Sequence, residues 1–131
     1  MICDLDQMAG RVARVVVTRL PADYQGAYDA VGGIILMSDR LTPVQYSCVL
    51  AHEISHARHH DHGCHTDKWT ERRADIDAAR LLINPDDYSA AEQICDNPHW
   101  IAQELNLMPW VIQAWRDHLH DNRFHATPHN Y

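Results

Sequence analysis

Basic side chains are scarce in this sequence. Lysine and arginine together number 11 of 131 residues, against 18 aspartates and glutamates, and the formal net charge is −7. Only Arg72 and Arg73 are adjacent. Because a nucleic-acid surface needs clustered positive charge, this balance argues against nucleic acid as a partner.

Long apolar runs and paired cysteines are also missing. No apolar stretch approaches the about 20 residues that a membrane-spanning helix needs, and residues 1–4 lack the charged-then-apolar start of a signal peptide. No Cys-x-x-Cys pair occurs among the four cysteines, which are Cys3, Cys48, Cys64 and Cys95. We therefore expect reduced thiols, a cytoplasmic location and no membrane partner.

The chain does contain enough apolar residues for one hydrophobic core. The hydrophobic fraction is 46% and the charged fraction is 22%, which is the composition of an ordinary globular domain. We expect a single domain over residues 1–131. A tail from about residue 121 shows no helical periodicity and is expected to be partly mobile.

The pattern of the first 40 residues predicts one helix and a small sheet. Apolar residues at helical spacing predict a helix from Asp4 to near Leu20, where Pro21 ends it. Residues 24–29 and 34–37 flank two glycines and predict a β-hairpin. The second strand is continuously apolar and is expected inside the sheet, with the first strand at an edge.

Five further helices are predicted after the hairpin. Three of them begin with a capping residue followed by proline, namely Thr42-Pro43, Asn84-Pro85 and Asn97-Pro98. The first of these is expected to run to about His60. Another is expected from Thr66 or Asp67 to Leu82, and the last begins at Pro109.

The stretch LAHEISHA, residues 50–57, predicts a metal site. On a helix His52 and His56 are about 40° apart around the axis and one turn apart along it, so both imidazoles can grip one Zn²⁺ ion. Glu53 lies beside that ion rather than on it, where its carboxylate can accept a proton from water. Surface histidines that fall at this spacing by chance are the competing interpretation, which the small and apolar flanking residues disfavour.

A catalytic zinc ion usually takes a third protein ligand, and Glu71 is the leading candidate. Asp75 follows it by four residues on the same helix face, where its carboxylate can accept an N–H from a ligating histidine and orient the ring. The competing interpretation is a solvated charged face. His62 is the rival ligand, at the metzincin spacing after His56, but that pattern needs glycine where His59 stands.

Several stretches resemble the ImmA/IrrE family of metallopeptidases. They are LAHEISHA at 50–57, ERRAD at 71–75, AARLLINP at 78–85, and the hairpin residues 26–29 and 34–36. The resemblance covers roughly residues 24–119. It implies an α+β fold with a minimal zincin-like core: an N-terminal helix, a small β-hairpin or sheet, an active-site helix, a glutamate-ligand helix and C-terminal helices.

The same resemblance implies a site and an activity. It implies a gluzincin-like zinc endopeptidase with one Zn²⁺ ion per chain, held by His52, His56 and Glu71, and with Glu53 as the catalytic base. Several family members, often encoded in phages or mobile elements, cleave a partner transcriptional repressor. The chain departs from the family in its histidine-rich loop after His56, and in Asp75, where many members have asparagine.

Substrate contacts are less sharply predicted. The edge strand that carries Gly26, Ala27 and Tyr28 can accept an extended peptide as an added strand, although the alternative is a short ribbon that only covers the core. The side chain that stabilises the oxyanion is left open among Tyr28, Tyr46, Tyr88 and His65.

Two other function classes compete with the peptidase. Residues 98–119 resemble a helix-turn-helix DNA binder, but the second helix carries only Arg116 as a basic residue. Core packing through Trp110 and Trp115 is the favoured interpretation of this segment. The other alternative is an adaptor that holds zinc and binds its repressor without cleaving it.

Overall fold

The computed structural model describes residues 4–62 and 67–126, with side chains described up to Asp121. The elements in chain order are α1 (Asp4–Val12), β1 (Arg14–Thr18), β2 (Gly26–Asp29), β3 (Ile34–Ser38), α2 (Pro43–Arg58), α3 (Lys68–Leu82), α4 (Pro85–Ile94), α5 (Pro98–Leu105) and α6 (Pro109–Ala126). This arrangement confirms the predicted α+β class.

Helix α2 begins where the sequence predicts it. The Thr42 hydroxyl accepts a hydrogen bond from the backbone N–H of Gln45 at 3.2 Å, and the Gln45 side chain accepts one from the Thr42 N–H at 2.9 Å. This reciprocal pair satisfies two N–H groups that a helix start leaves without partners. Pro43 at the first helical position fixes the backbone angle φ near its helical value.

The other predicted helix starts are confirmed as well. Asp67, Asn84 and Asn97 each accept backbone N–H bonds at the first turns of α3, α4 and α5. Helix α6 begins at Pro109 and continues to Ala126, past residue 121, where the sequence loses its periodicity. The remainder of the predicted tail, from residue 127, lies outside the described residues.

The three strands form one sheet in the order β1-β3-β2. Strand β2 is antiparallel to β3, with Ala27 opposite Leu36, and β1 is parallel to β3, with Val16 opposite Leu36. The apolar strand β3 is therefore central and β2 is an edge, which confirms the predicted hairpin and the place of each of its strands.

The predicted helix from Asp4 to Leu20 is wrong beyond Val12. The helix stops after α1, the N–H of Arg14 bonds to the carbonyl of Gly33, and residues 14–18 join the sheet as β1. The physical reason lies in the β-branched run Val15-Val16-Val17, whose restricted χ1 angles favour a strand over a helix.

Helix α2 lies between two hydrophobic clusters. One contains Leu50 and Ile54 of α2 with Ile35 and Met37 of β3. The other joins Cys48 of α2 to α3, α4, α5 and α6, through Ala79, Ile83, Tyr88, Ala91, Ile101, Ala102, Val111, Ile112, Ala114 and Trp115. The helix that carries the two histidines is therefore held from both sides by packed side chains.

The described residues include two of the four cysteines. Cys48 and Cys95 are free thiols, whereas Cys3 and Cys64 lie outside the described residues. Burial raises the pKa of the Cys48 thiol, although a bond from the Met108 N–H opposes that rise. Among the described helices, none is long and apolar enough to cross a bilayer.

Candidate metal centre

Three predicted ligand side chains converge between α2 and α3. The Nε2 atoms of His52 and His56 are 3.1 Å apart. Glu71 places Oε1 3.1 Å from Nε2 of His52 and Oε2 2.9 Å from Nε2 of His56. Ligands on a tetrahedral zinc ion with bonds of about 2.0 Å are about 3.3 Å apart. The separations therefore match one small ion bound by all three residues.

The protonation of the two rings decides what this cluster can bind. Nδ1 of His52 lies 2.9 Å from Oδ1 of Asp75, and Nδ1 of His56 lies 2.8 Å from Oδ2 of Asp61. When a neutral imidazole donates its Nδ1 proton to such a carboxylate, the lone pair of Nε2 is left to face the centre. Two nitrogen lone pairs and the carboxylate of Glu71 then face one another, and a cation relieves their repulsion.

The chemistry of this donor set fits a divalent transition metal. Two imidazoles and one carboxylate form a common protein site for catalytic zinc, which leaves a fourth position for water or substrate. The ligand atoms of His52, His56 and Glu71 lie within 4.8 Å of one another. The rival residue His62 is exposed and does not belong to this cluster.

Carboxylates dominate the electrostatics around the cluster. Burial lowers the pKa of His52, but the hydrogen bond to Asp75 and the charges of Glu53, Asp75 and Glu71 outweigh it and raise that pKa above its ordinary value. Burial opposes ionisation of Asp61, yet its bonds to the His56 ring and Arg73 bring its pKa below the usual range. The site therefore carries negative potential that favours a cation.

Glu53 lies beside the cluster and not in it. Its side chain is buried on α2 at 2% exposure, and it borders an open cavity of ≈ 800 Å³ that is also lined by His52, Asp75 and Trp110. A carboxylate at the boundary between the metal cluster and a cavity of this size can meet both a water molecule and a substrate.

Strand β2 forms another wall of the same cavity. Gly26 lines it together with Tyr24 and Gln25, which precede the strand. A Cβ atom at Gly26 would lie 2.7 Å from Cγ1 of Val49 and 3.3 Å from Cγ of Glu53. The glycine therefore allows the edge strand to approach the helix that carries Glu53.

The other residues predicted to contact the substrate are placed elsewhere. Ala27 is half-buried further along β2, and both Tyr28 and Tyr46 pack against the cluster around β3. Tyr88 is buried among the C-terminal helices, where its hydroxyl donates to Glu92 and accepts from Arg116. His65 lies outside the described residues.

Two residues near the cluster were missed in the sequence. The ring centroid of Trp110 lies 6.0 Å from that of His52, edge to face. Only a packing role was predicted for Trp110, because its approach to His52 depends on how α6 docks against α3. Asp61 follows His56 by five residues. The position of an acidic residue directly after the predicted helix was the feature of the sequence that could have indicated it.

The segment that resembles a helix-turn-helix contributes to the core. In α6, Val111, Ile112 and Trp115 are buried. Arg116 bonds to Tyr88 and Asp96 and lies near Glu92. These contacts support the packing interpretation of α5 and α6.

Comparisons with known proteins agree with the sequence resemblance. The profile of the family Peptidase M78, described as the IrrE N-terminal-like domain, matches residues 1–108. A search of curated proteins found no match. A solved structure of a Mycobacterium tuberculosis transcriptional regulator is similar at 16% identity with a TM-score of 0.58, over 84% of this chain and 40% of that chain.

The similarity to the regulator shows the fold, and the chain spans less than half of the regulator's length. The family profile covers most of the present sequence. It includes both histidines, the buried glutamate beside them, and the acidic helix that follows. The chain therefore belongs to the IrrE N-terminal-like family of peptidases, M78.

Proposed function

We propose that the protein is a zinc-dependent metalloendopeptidase that hydrolyses a peptide bond in a protein substrate. One observation supports this most strongly: the nitrogen and oxygen atoms of His52, His56 and Glu71 converge beside the buried carboxylate of Glu53. The cavity next to them is open to solvent and bordered by the edge strand β2. Family membership supports the peptidase class.

Each residue has a defined part in the proposed reaction. A zinc ion held by the three ligands would polarise the scissile carbonyl and lower the pKa of its water to about 7. Glu53 accepts the proton from the attacking water and later donates it to the leaving amine. Asp75 holds the imidazole ring of His52 with Nε2 toward the cluster.

The substrate is proposed to bind as an extended strand. Strand β2 is an edge of the sheet, and Gly26 brings it against α2 next to Glu53. A peptide that adds to such an edge makes backbone hydrogen bonds along its length. Its scissile bond would then lie over the cavity floor formed by His52 and Glu53.

We further propose a partner transcriptional repressor as the substrate. Support comes from the resemblance to the ImmA/IrrE family, several members of which cleave such a partner. The test is incubation of the purified protein with the product of the neighbouring gene, followed by mass spectrometry of the fragments. Cleavage at one peptide bond is the expected result.

Replacement of Glu53 tests the mechanism. The variant Glu53→Gln is expected to retain one zinc ion per chain and to lose cleavage activity by about 10²–10⁴-fold, because an amide cannot accept the proton. Metal analysis and the fragment assay measure the two quantities on the same sample. The control His52→Ala is expected to lose both zinc and activity.

Other results would favour other functions. Unchanged proteolysis by Glu53→Gln with full zinc content would remove this mechanism. Tight association with the repressor without fragments would indicate the adaptor, and a salt-sensitive gel shift with duplex DNA would indicate the DNA binder. The cytoplasmic location remains a prediction.

A further inference from the structure

The end of α2 folds the chain back onto a metal-facing histidine. His60 has a left-handed backbone with φ of 50°. Its N–H donates to the carbonyl of Ala57 at 3.2 Å, and the N–H of Asp61 donates to the carbonyl of His56 at 3.0 Å. These two bonds form the Schellman motif, in which the left-handed residue is usually glycine. They reverse the chain, so that Asp61 lies against the last turn of α2.

The side chain of Asp61 makes a second bond to the same histidine. Its Oδ2 atom lies 2.8 Å from Nδ1 of His56, and the carboxylate is only 19% exposed. That oxygen also accepts a hydrogen bond from the guanidinium of Arg73 on α3. A motion of Asp61 away from the ring would therefore break an ion pair between the end of α2 and α3.

The two histidines of the cluster are supported from different places. Nδ1 of His52 is hydrogen-bonded to Asp75, which lies on α3 and has a side chain that is 42% exposed. His56 is bonded by Asp61, which the helix end itself supplies and which Arg73 fixes. Arg73 lies two residues after Glu71, so the same turn of α3 carries a predicted ligand and the residue that holds Asp61.

We propose that Asp61 is a positioning residue for His56. It accepts the Nδ1 proton, which fixes the ring orientation and the tautomer that presents Nε2 to the metal, and Arg73 holds Asp61 in place. The proposal rests on the metal site of the proposed function. The family resemblance assigns no role to the segment directly after α2. Under this proposal that segment contributes to the metal affinity of the site.

The test compares Asp61→Ala and Asp61→Asn with the wild-type protein. Zinc affinity is measured by competition with a chromophoric chelator. Loss of the partner of a metal-ligating histidine typically weakens affinity by about 10–100-fold, and this is expected for Asp61→Ala. Asp61→Asn is expected to lose less, because its amide oxygen still accepts from Nδ1.

A second measurement determines the tautomer of the His56 ring. Long-range ¹H–¹⁵N NMR spectra of the metal-free protein report which nitrogen of His56 carries the proton. The wild-type protein is expected to carry a proton on Nδ1 of His56, and Asp61→Ala is expected to shift the population toward the Nε2–H tautomer, whose proton Glu71 Oε2 can accept at 2.9 Å. A purely structural role of Asp61 would leave the tautomer unchanged.

Asp77→Ala is the matched control. Asp77 also joins α3 to α2, through a bond of 2.7 Å from Ser55 Oγ, and its side chain is 31% exposed. This variant is expected to keep the zinc affinity and the His56 tautomer of the wild type, even where it lowers the melting temperature.

Three outcomes separate the possibilities. Unchanged zinc affinity and an unchanged tautomer in Asp61→Ala would overturn the proposal. An equal loss of affinity in Asp61→Ala and Asp77→Ala would also overturn it, because that result indicates general loosening of the α2–α3 contact. Absence of zinc binding by the wild type would instead contradict the proposed function, and the metal-free NMR comparison would still test the role of Asp61.

Discussion

At the scale of single residues, Gly26 is where the edge strand comes nearest to Glu53. A methyl group there would lie 2.7 Å from Val49 Cγ1, so Gly26→Ala forces β2 or the side chains of α2 to move. We expect a loss of about 1–3 kcal/mol in the free energy of unfolding and a lower kcat/KM. Urea unfolding and a fluorogenic peptide assay measure these two effects.

Gly10→Ala is the control for that substitution. Gly10 lies in α1, and a Cβ atom there meets nothing within 4 Å. Alanine in a helix is favoured over glycine, so the free energy of unfolding is expected to rise by about 0.5–1 kcal/mol, with no change in kcat/KM. A similar response of both variants would contradict the close approach at Gly26.

The residues of the site differ in how well they could be predicted from the sequence. His52, Glu53 and His56 could be predicted because helical spacing alone brings them together. Glu71 was the leading candidate for the third ligand and the family resemblance implied it, whereas Asp75 was placed beside it by the spacing of four residues. Asp61 could not be assigned, because its contact with His56 depends on a chain reversal that His60 makes without glycine.

At the scale of elements, the C-terminal end of α2 carries strain. A non-glycine residue in the left-handed conformation costs about 1–2 kcal/mol, and His60 has that conformation. His60→Gly is therefore expected to raise the melting temperature by about 4 °C and to leave zinc affinity unchanged. Differential scanning calorimetry and the chelator competition measure both quantities.

Asn106 provides the comparison for this prediction. It ends α5 with φ of 56°, but asparagine tolerates this conformation better than histidine. Asn106→Gly is expected to gain less stability than His60→Gly. A lower melting temperature in His60→Gly would show that the histidine side chain stabilises the turn.

The elements also show why local patterns succeed and fail. Thr42, Asn84 and Asn97 marked helix starts correctly because a cap bonds to residues two or three positions away. Strand β1 was missed because its partner, β3, begins 20 residues later in the register that pairs Arg14 with Ile34. The β-branched run Val15-Val16-Val17 favours a strand locally, but its residues also fitted a helical spacing, and the pairing with β3 decides between the two.

At the scale of the whole molecule, a shared ion would connect α2 to α3. A ligand that binds only the folded state adds about 2.7 kcal/mol when its concentration is 100 times the dissociation constant. Removal of zinc by a chelator is expected to lower the melting temperature by about 10 °C, and added zinc is expected to restore it. Thermal unfolding at several zinc concentrations measures the effect.

Glu71→Ala is the control for zinc dependence. It removes the contribution of α3 and leaves both histidines on α2, so its melting temperature is expected to respond weakly or not at all to zinc. A wild-type melting temperature that does not depend on zinc would contradict an ion shared between the two helices.

Trp110 stands two positions beyond the last residue that the family profile matches, yet it lines the same cavity as Glu53. The cavity is therefore bordered by α6 as well as by α2 and α3, the two helices that hold the predicted ligands. A change of side-chain size at the start of α6 would therefore reshape the space in which a substrate could lie, while His52, His56 and Glu71 keep their identities.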